Sequence, residues 1–260
     1  MLSHKAIVYG FKKLFPNLEV VSEEKDRGDI NLDNIEVPST KGSTLEHKLQ
    51  NFDDEILSYD EILVWVDPLD ATQEYTENLQ QYVTTMVCIA VHGKPVVGVI
   101  HQPFLGKTHW AWVAHGMSEE LRMINAKSKK NSNLDAPRII VSRSHAGAVN
   151  ETAQKAFGKK VKVFPAGGAG FKTLSVLKGE FDAYVHVTLI KKWDICAGNA
   201  LIKAKNGRMT NLKGQEIDYS DRTKTKNSDG LLVTMFDHIQ FQEKLSHIKV
   251  IKNTKKHKVK

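Results

Sequence analysis

The sequence predicts a mixed α/β fold made of two halves with different rhythms. The first half places three strand patterns in succession, separated by glycine and proline turns, which is typical of an antiparallel meander. These strands run from Thr84 to Val91, from Val96 to His101 and from Thr108 to Val113. The second half alternates apolar strands with helical patterns, which indicates βα units. A lysine- and asparagine-rich stretch from Asn125 to Ala136 marks the join.

The elements before the meander begin with an amphipathic helix from Ser3 to Phe15, which Pro16 ends. A short strand from Leu18 to Val21 follows. The polar stretch from Lys25 to about Ser58 is punctuated by Gly, Pro and Ser, and we expect a mobile surface excursion. The β-branched and aromatic run from Ile62 to Val66 then predicts a buried strand.

The second half contributes four strands and four helices in alternation. The predicted strands are Arg138 to Val141, Val161 to Phe164, Ala183 to His186 and Leu231 to Thr234. The predicted helices are Ala146 to Phe157, Gly170 to Leu177, Asp194 to Lys205 and Asp237 to Leu245.

Charge is concentrated at the carboxyl end. The chain has 260 residues, of which 41% are hydrophobic and 26% charged, and a formal net charge of +7. Six lysines lie between Lys249 and Lys260 without any acid, so the rest of the chain has a net charge of only +1. We expect a solvated, disordered tail, with attachment to a membrane or nucleic acid as the alternative.

The two cysteines, Cys88 and Cys196, each lie in an apolar segment. We expect both to be small buried hydrophobic residues, not a disulfide or a zinc pair. No run of eighteen apolar residues and no charged-then-apolar leader is present, so the sequence as given predicts neither a membrane span nor a secretion signal.

Two acids, Asp67 and Asp70, follow the predicted Ile62 to Val66 strand. Ligands bind at the carboxyl ends of strands in open α/β sheets, and two acids held there repel each other unless a cation lies between them. This favours a metal site. The alternative is an Asp-Pro turn in which Asp caps a helix, which is equally common chemistry for this spacing.

Three further positions have the same ambiguity when each is taken alone. Glu23 follows a strand and fits a surface acid as well as a ligand. Thr72 fits a helix cap as well as a catalytic hydroxyl. Asp194 precedes an apolar helix and fits an N-cap as well as a ligand.

Taken together, these signals resemble the lithium-sensitive, magnesium-dependent phosphatases of the inositol monophosphatase type, over Ser3 to about Leu245. Within that superfamily the chain resembles the 3′-phosphoadenosine 5′-phosphate (PAP) phosphatases, which include a Golgi-resident form. The motifs that carry the resemblance are Val66 to Glu77, Tyr82 to Cys88, Val141 to His145, Pro165 to Gly170 and Ile190 to Ala200. Ala71 and the sequence Gln73-Glu74-Tyr75 favour this nucleotidase branch over inositol-directed relatives.

The resemblance implies a layered α-β-α-β-α sugar-phosphatase-type fold with two sheets. It also implies one catalytic domain over residues 1–248, with a metal-binding antiparallel-sheet half (1–130) and a substrate-binding half (131–248), before the tail at 249–260. The implied reaction removes the 3′-phosphate of PAP to give AMP and phosphate. Hydrolysis of inositol phosphates is the alternative.

The resemblance also implies a set of site residues. Two or more Mg²⁺ ions are implied, and their implied ligands are Glu23, Asp67, Asp70, Asp194 and the carbonyl of Leu69. Inhibition of the enzyme by lithium is implied as well. Carboxylates and carbonyls without His or Cys suit magnesium better than zinc. Thr72 is the implied catalytic residue. The implied substrate contacts are Thr72, Ser142, His145, Gly167, Lys172 and Asp194, and backbone N–H groups at a helix start with a lysine suit a 5′-phosphate.

One part of the family pattern is missing. The relatives pair the counterpart of Thr72 with an Asp in a Gly-Asp sequence, which would fall just before Met1. A threonine hydroxyl is a weak base without such a partner. We therefore expect either an incomplete chain of an active phosphatase or an impaired enzyme that binds metal and nucleotide.

Partners and compartment are also implied by the resemblance alone. It implies a nucleotide substrate, no nucleic acid, and a membrane contact only through an anchor outside this sequence. A homodimer and a Golgi location follow from the same relatives, with the cytoplasm as the alternative location.

Overall fold

The computed structural model describes residues 2–25, 35–37, 56–124 and 134–246, and for residues 145–148 it describes the backbone alone. Most of the predicted polar excursion, most of the predicted linker and the whole lysine tail therefore lie outside the described residues. The strands and helices that form the two predicted halves lie inside them.

The first sheet has six strands in the order in which they occur along the chain. They are β1 (Glu19–Ser22), β2 (Ile62–Asp70), β3 (Thr84–Val91), β4 (Lys94–Gln102), β5 (Lys107–Trp112) and β6 (Gly116–Met117). Neighbouring strands from β2 to β6 are antiparallel, so the predicted meander is confirmed. The short strand β6 had no sequence signal.

The prediction of an all-antiparallel first half is wrong at one edge, because β1 runs parallel to β2. Ser22 lies beside Val66 in this register, and the Glu23 amide donates a hydrogen bond to the Val66 carbonyl at 3.1 Å. Parallel neighbours end at the same edge of a sheet. Glu23, the first residue after β1, therefore lies beside Asp67 of β2.

Strand β2 also continues past Val66, where we expected it to end, and reaches Asp70. Its pairing with β3 shifts between Asp67 and Asp70. Pro68 lies in this interval and has no N–H group to donate to the sheet. The irregular segment re-aims the two acids at the end of an otherwise regular strand.

The second sheet has five strands and is mixed. Its order is β11 (Arg208–Thr210), β13 (Leu231–Thr234), β9 (Ala183–His186), β7 (Arg138–Ser142) and β8 (Lys162–Ala166). Strands β8, β7 and β9 are parallel, and β13 and β11 are antiparallel to their neighbours. Two further short strands, β10 (Ile190–Lys191) and β12 (Lys226–Asn227), pair separately.

Seven helices accompany these strands in the described residues. They are α1 (Leu2–His4, continued by Lys5–Tyr9 and Gly10–Leu14), α2 (Thr72–Thr76), α3 (Glu119–Met123), α4 (Ala146–Phe157), α5 (Ala169–Leu177), α6 (Cys196–Ala204) and α7 (His238–Leu245). Helix α1 agrees with the predicted amphipathic helix, although its middle segment is π-helical, which the sequence pattern did not indicate. Three short 3₁₀ turns are Tyr59–Glu61, Gln80–Tyr82 and Arg143–His145.

The elements stack in the predicted α-β-α-β-α order. On the outer face of the first sheet, Val8 of α1 packs with Val64 and Val66 of β2. Helices α5 and α6 lie between the sheets. Helices α4 and α7 cover the far face of the second sheet, where the rings of Phe157 and Phe241 lie 5.3 Å apart.

A shared core joins the two halves. Buried residues of the first sheet, such as Trp65 and Met86, belong to the same cluster as Tyr184 of the second sheet and Leu174 of α5. The Trp65 indole N–H donates to the Tyr219 carbonyl at 3.1 Å inside this core. Burial of this apolar surface is the main force that holds the sheets together.

The two cysteines form a disulfide, so the prediction of unpaired cysteines is wrong. Cys88 lies on β3 and Cys196 is the first residue of α6, and both are buried as expected. The sequence could not reveal the pair because 108 positions separate the two residues. Only the packing of α6 on the first sheet brings them together. Among the described residues, none of the helices is long and apolar enough to cross a membrane.

Replacing Cys88 or Cys196 by Ser is expected to lower the free energy of unfolding by about 2–4 kcal/mol, because the bond constrains a long loop of the unfolded chain. Denaturant titration of the purified protein measures this change. The matched control is alkylation of the unfolded wild type without reductant, which should label no thiol. Two labelled thiols would contradict the disulfide.

Candidate active site

Four carboxylates from both halves of the molecule lie close together. Asp67 and Asp70 end β2, and Glu23 follows β1 at the same edge. Asp194 comes from the second half, in the turn between β10 and α6. Glu23 and Asp67 are within hydrogen-bonding reach of each other, and both interact electrostatically with Asp70. The fold therefore assembles the acids that the sequence singled out.

These acids disfavour one another's charge. Burial raises the pKa of Asp67 well above its usual range, and repulsion from Asp70, Asp194 and Glu23 raises it further. Burial and then repulsion from Asp70 likewise raise the pKa of Asp194 well above its usual range. Glu23 reaches the surface, and its pKa is raised to a lesser extent, chiefly by partial desolvation. A cation among the four acids would relieve this repulsion.

Hydrogen bonds hold one oxygen of each aspartate. Asp67 Oδ1 accepts from the Leu69 amide at 3.1 Å, and Asp194 Oδ2 accepts from the Lys191 amide at 3.1 Å. The bond from the Lys191 amide closes the turn that contains Asp194. Ile195, and not Asp194, precedes the first residue of helix α6, so the N-cap interpretation of Asp194 is wrong.

Asp70 is anchored across the interface between the halves. Its Oδ2 accepts from the Thr84 hydroxyl at 2.9 Å and from the Gly170 amide of α5 at 2.8 Å. Burial raises the pKa of Asp70, while the Lys172 ammonium and the amides of α5 oppose this rise. One strand of the first half is thus tied directly to a helix of the second.

The donor set fits a hard divalent cation. It consists of carboxylate oxygens and backbone carbonyls, which Mg²⁺ and Ca²⁺ prefer, and contains neither imidazole nor thiolate. Within residues 2–25, 35–37, 56–124 and 134–246, no three acidic, His or Cys side chains converge tightly enough to enclose an ion as they stand. The acids are close enough to repel one another but do not enclose an ion in this arrangement.

Thr72 and Leu69 are linked to each other beside this cluster. The Thr72 hydroxyl donates to the Leu69 carbonyl at 2.9 Å, and Thr72 begins the short helix α2. Ala71 precedes it in the left-handed region with φ +67°. Because the single O–H donor of Thr72 is used in this hydrogen bond, its oxygen can act only as an acceptor for other groups at the surface.

A cavity of about 420 Å³ opens beside the acids. Residues of both halves line it, including Asp70, Glu74, Ser142, Arg143, Gly167, Lys172, Tyr184, Lys191 and Asp194. Its volume is within the range of small-molecule sites. The cavity therefore brings the predicted substrate-side residues Ser142, Gly167 and Lys172 to the same place as two of the predicted metal ligands.

Lys172 is the most deeply buried cation of this cavity, with 3% of its surface exposed. Its ammonium donates to the Gly168 carbonyl at 2.6 Å and to the Ala166 carbonyl at 3.4 Å. It also lies 5.2 Å from the centre of the Tyr184 ring. Burial lowers the pKa of Lys172 to about 8, while Asp70 and the other nearby acids act in the opposite direction.

The remaining predicted substrate residues lie at the end of β7, in the turn after it and in the glycine turn before α5. The hydroxyl of Ser142 lies 3.1 Å from that of Ser144. His145 ends the 3₁₀ turn Arg143–His145, and its side chain is outside the described part of the chain. Gly167 lies against Glu74, and an added Cβ would approach that side chain to 2.5 Å.

Gly168 requires glycine for two reasons. Its φ is +60°, and a Cβ at this position would lie 2.4 Å from the Tyr82 carbonyl. This close approach seats the start of α5 against the first half, where Gly170 reaches Asp70. The glycine turn therefore serves the acid cluster as well as the cavity wall.

Among the charged residues of the cavity, Arg143 and Lys191 were not singled out from the sequence, and Glu74 was noted only within the Gln73-Glu74-Tyr75 sequence. All three lie within the motifs that carry the family resemblance. Lys191 Nζ lies 4.6 Å from the Trp193 ring centre, and its charge acts on Glu23 and Asp194. Only the folded structure shows that these side chains face the same cavity.

Gly168→Ala is expected to destabilise the protein more than Gly106→Ala. Both glycines have φ +60°, but no atom lies within 4 Å of a Cβ built at Gly106. The backbone strain should cost about 1–2 kcal/mol at each position, and the clash at Gly168 about 1–3 kcal/mol more. Denaturant titration of both variants measures the difference. Equal losses would contradict the close approach at Gly168.

Asp67→Asn is expected to stabilise the metal-free protein, because it removes the repulsion between Asp67 and the neighbouring acids. The free energy of unfolding should rise by on the order of 1 kcal/mol or more, which corresponds to a few degrees in Tm. Folding raises the pKa of Asp67, so the folded state binds protons more tightly than the unfolded chain. The stability due to this group is present at low pH and is lost as the pH rises through the raised pKa. The difference in Tm between acidic and neutral buffer should therefore be smaller for the variant than for the wild type.

Thermal unfolding between pH 5 and 8 in a chelating buffer measures this effect, with Asp229→Asn as the control. Asp229 is a surface acid paired with Lys213 at 2.8 Å. A lower Tm for Asp67→Asn throughout this pH range would show that the acids do not repel one another.

Comparison with known proteins agrees with this geometry. The model of the inositol monophosphatase family matches residues 2–243. The chain is 45% identical over 245 residues to inositol monophosphatase 3 of Danio rerio, a match that covers 91% of this chain and 67% of that protein. It is 44% identical over 240 residues to the Golgi-resident adenosine 3′,5′-bisphosphate 3′-phosphatase of Mus musculus, covering 89% and 62%.

Solved structures share the fold. An IMPase/NADP phosphatase, solved with Mg²⁺ and phosphate, superposes with a TM-score of 0.66 at 17% identity, covering 95% of this chain and 80% of that one. This confirms the expected mixed α/β fold with two main sheets. The sequence match, the fold and the acid cluster all point the same way: the chain belongs to the inositol monophosphatase family.

Proposed function

We propose that this protein is a magnesium-dependent phosphatase that removes the 3′-phosphate of PAP, giving AMP and phosphate. The observation that carries the proposal is the placement of four mutually repelling carboxylates beside a cavity that also presents Lys172, Lys191 and Arg143. The acids suit a metal centre, and the cations of the same cavity suit a phosphorylated substrate. Membership of a phosphatase family makes a phosphoric monoester hydrolase the coarse form of this function.

Glu23, Asp67, Asp70, Asp194 and the Leu69 carbonyl would hold two or more Mg²⁺ ions. Magnesium, when bound, lowers the pKa of a bound water and neutralises charge on phosphate oxygens. A relative with the same fold is described with Mg²⁺ and phosphate, which supports this assignment. Inhibition by lithium is proposed from the family resemblance alone.

Thr72 would orient the attacking water. Its O–H group donates a hydrogen bond to the Leu69 carbonyl, so the oxygen lone pairs are left to accept a hydrogen bond from that water. The hydroxyl would thus hold the water in place, and removal of the water's proton requires a stronger base. A carboxylate partner for Thr72, as the family pattern implies, would supply that base.

The substrate would occupy the cavity between the two sheets. Ser142, His145, Gly167 and Lys172 are proposed to line the nucleotide, with Thr72 and Asp194 at the reacting phosphate. The buried Lys172 ammonium gives this wall a positive charge, which favours an anionic ligand. The cavity is large enough for a nucleotide-sized molecule to be enclosed in part.

Inositol phosphates are the second candidate substrate class. The specific observation is the 45% identity to a protein named inositol monophosphatase 3, which is as high as the identity to the nucleotide phosphatase. The acid cluster would serve either substrate equally, because it would act only on the phosphate group that is removed. The choice depends on the cavity wall away from the acids.

An oxidising compartment is proposed for the protein. Buried disulfides persist in secreted and luminal proteins and are rare in the cytosol. The name of the Golgi-resident relative agrees with a Golgi location. This combination favours the Golgi lumen over the cytoplasmic alternative, and a homodimer remains a prediction.

A phosphate-release assay tests the proposal. PAP, adenosine 3′-monophosphate and inositol 1-phosphate are offered to this chain, and to a form extended upstream by a Gly-Asp segment, with Mg²⁺ alone and with added Li⁺. We expect Mg²⁺-dependent release from PAP that lithium suppresses. Asp194→Asn should lower kcat/KM by about 10²–10³-fold, because a metal ligand stabilises charge in the transition state.

Asp229→Asn is the matched control and should leave release unchanged, since Asp229 lies away from the cavity and pairs with Lys213. Release from inositol 1-phosphate without release from PAP would replace the proposed substrate by the second candidate. Release from every substrate in the presence of a chelator would contradict the metal centre.

A further inference from the structure

An ion-pair bridge joins the two halves of the protein beside the cavity. Arg143 lies in the turn after β7, in the second half, and Nη1 of its guanidinium lies 2.8 Å from Glu77 Oε2 and 3.3 Å from Glu74 Oε1. Glu74 belongs to helix α2 in the first half, and Glu77 is the residue after that helix. Glu74 and Arg143 both line the cavity. The bridge therefore connects the two halves at the cavity wall.

The bridge fixes the orientation of the guanidinium. Both carboxylates bind the same nitrogen, Nη1, and among the described residues no side chain or backbone oxygen accepts a hydrogen bond from Nε or Nη2. An arginine binds phosphate most strongly with two parallel N–H groups, and the Nε–Nη2 edge is one such pair. Clamping at Nη1 leaves this edge free for an oxyanion.

The other two cations of the cavity offer a phosphate no planar pair of donors. Lys172, which the family resemblance places beside a 5′-phosphate, is buried and donates to the carbonyls of Gly168 and Ala166, so it supplies charge to the cavity wall and one remaining N–H. Lys191 stacks on Trp193 and acts on Glu23 and Asp194, which places it at the acid cluster, where the reacting phosphate would lie. Arg143 is the cavity cation with an available donor edge away from those acids, and 35% of its side chain is exposed.

We infer that Arg143 determines specificity by binding the second, non-reacting phosphate of a bisphosphate substrate through its Nε–Nη2 edge. This inference rests on the proposed function and adds the residue that selects the substrate class. Glu74 and Glu77 are positioning residues, because they hold the guanidinium at the cavity wall. A substrate with one phosphate at the acid cluster leaves this edge without a partner.

The expected effect is a preference in binding. PAP and adenosine 3′-monophosphate differ only in the 5′-phosphate, so their ratio of Kd values isolates the second anion. A charge-assisted bidentate contact should make the wild type bind PAP about 10- to 100-fold more tightly. Arg143→Gln should remove most of this ratio and leave the Kd of adenosine 3′-monophosphate within about threefold.

Isothermal titration calorimetry of the full chain, with Ca²⁺ in place of Mg²⁺ to slow the proposed hydrolysis, measures both Kd values for the wild type, Arg143→Gln, Arg143→Lys and the control Arg122→Gln. Arg122 is an exposed arginine on α3, outside the cavity, and its replacement should change neither Kd. Arg143→Lys keeps the charge without the planar donor pair and should retain only part of the ratio. The Tm of Arg143→Lys, compared with that of the wild type, shows whether a substitution at residue 143 destabilises the fold.

Equal weakening of both ligands by Arg143→Gln would overturn the inference and make the bridge a structural contact. A wild type that binds the two ligands equally would also overturn it. If the wild type prefers PAP in binding through Arg143 but releases phosphate only from inositol 1-phosphate, the proposed reaction fails while the role of Arg143 in binding stands. The two claims are thus separated by one set of proteins.

Discussion

The structure depends on holding carboxylates that repel one another in a buried site. Asp67 and Asp194 come from different halves of the chain, and burial and repulsion from neighbouring acids raise the pKa of both. Their charge is costly in the folded protein without a cation, since each loses water on burial and the attraction of Lys191 for Asp194 does not offset that loss. This unfavourable burial of charge occurs where the two halves of the chain meet. A site of this kind is a means of binding a cation and a poor means of stabilising a core.

Several neighbouring features hold these acids together against their repulsion. Parallel pairing of β1 with β2 brings Glu23 beside Asp67. The amide of Gly170 ties Asp70 to α5, and the glycine turn at Gly168 allows this approach. The Cys88–Cys196 bond fixes the start of α6, two residues after Asp194, to the first sheet. Each contact joins the halves close to the acids, so cation binding and packing between the sheets are physically linked.

The sequence predicted most of the fold, because the elements of the second half follow clear apolar periods, as in Ala146–Phe157 and Ala183–His186. It also identified the four acids, which lie at strand ends or in turns. It could not predict contacts that depend on tertiary pairing, such as the parallel edge strand and the disulfide across 108 positions. For the same reason Arg143 was not singled out: its partners Glu74 and Glu77 are about seventy positions away.

We propose that carboxylates from both halves form one cation site. A crystal structure of the protein soaked with Mn²⁺, with anomalous data collected for the metal, would test this directly. We expect anomalous density bounded by carboxylate oxygens of Asp67 and Asp70 on one side and Asp194 on the other. A metal peak bound by one half alone, or anomalous density only at sites remote from these aspartates, would show that the two halves do not share a cation site.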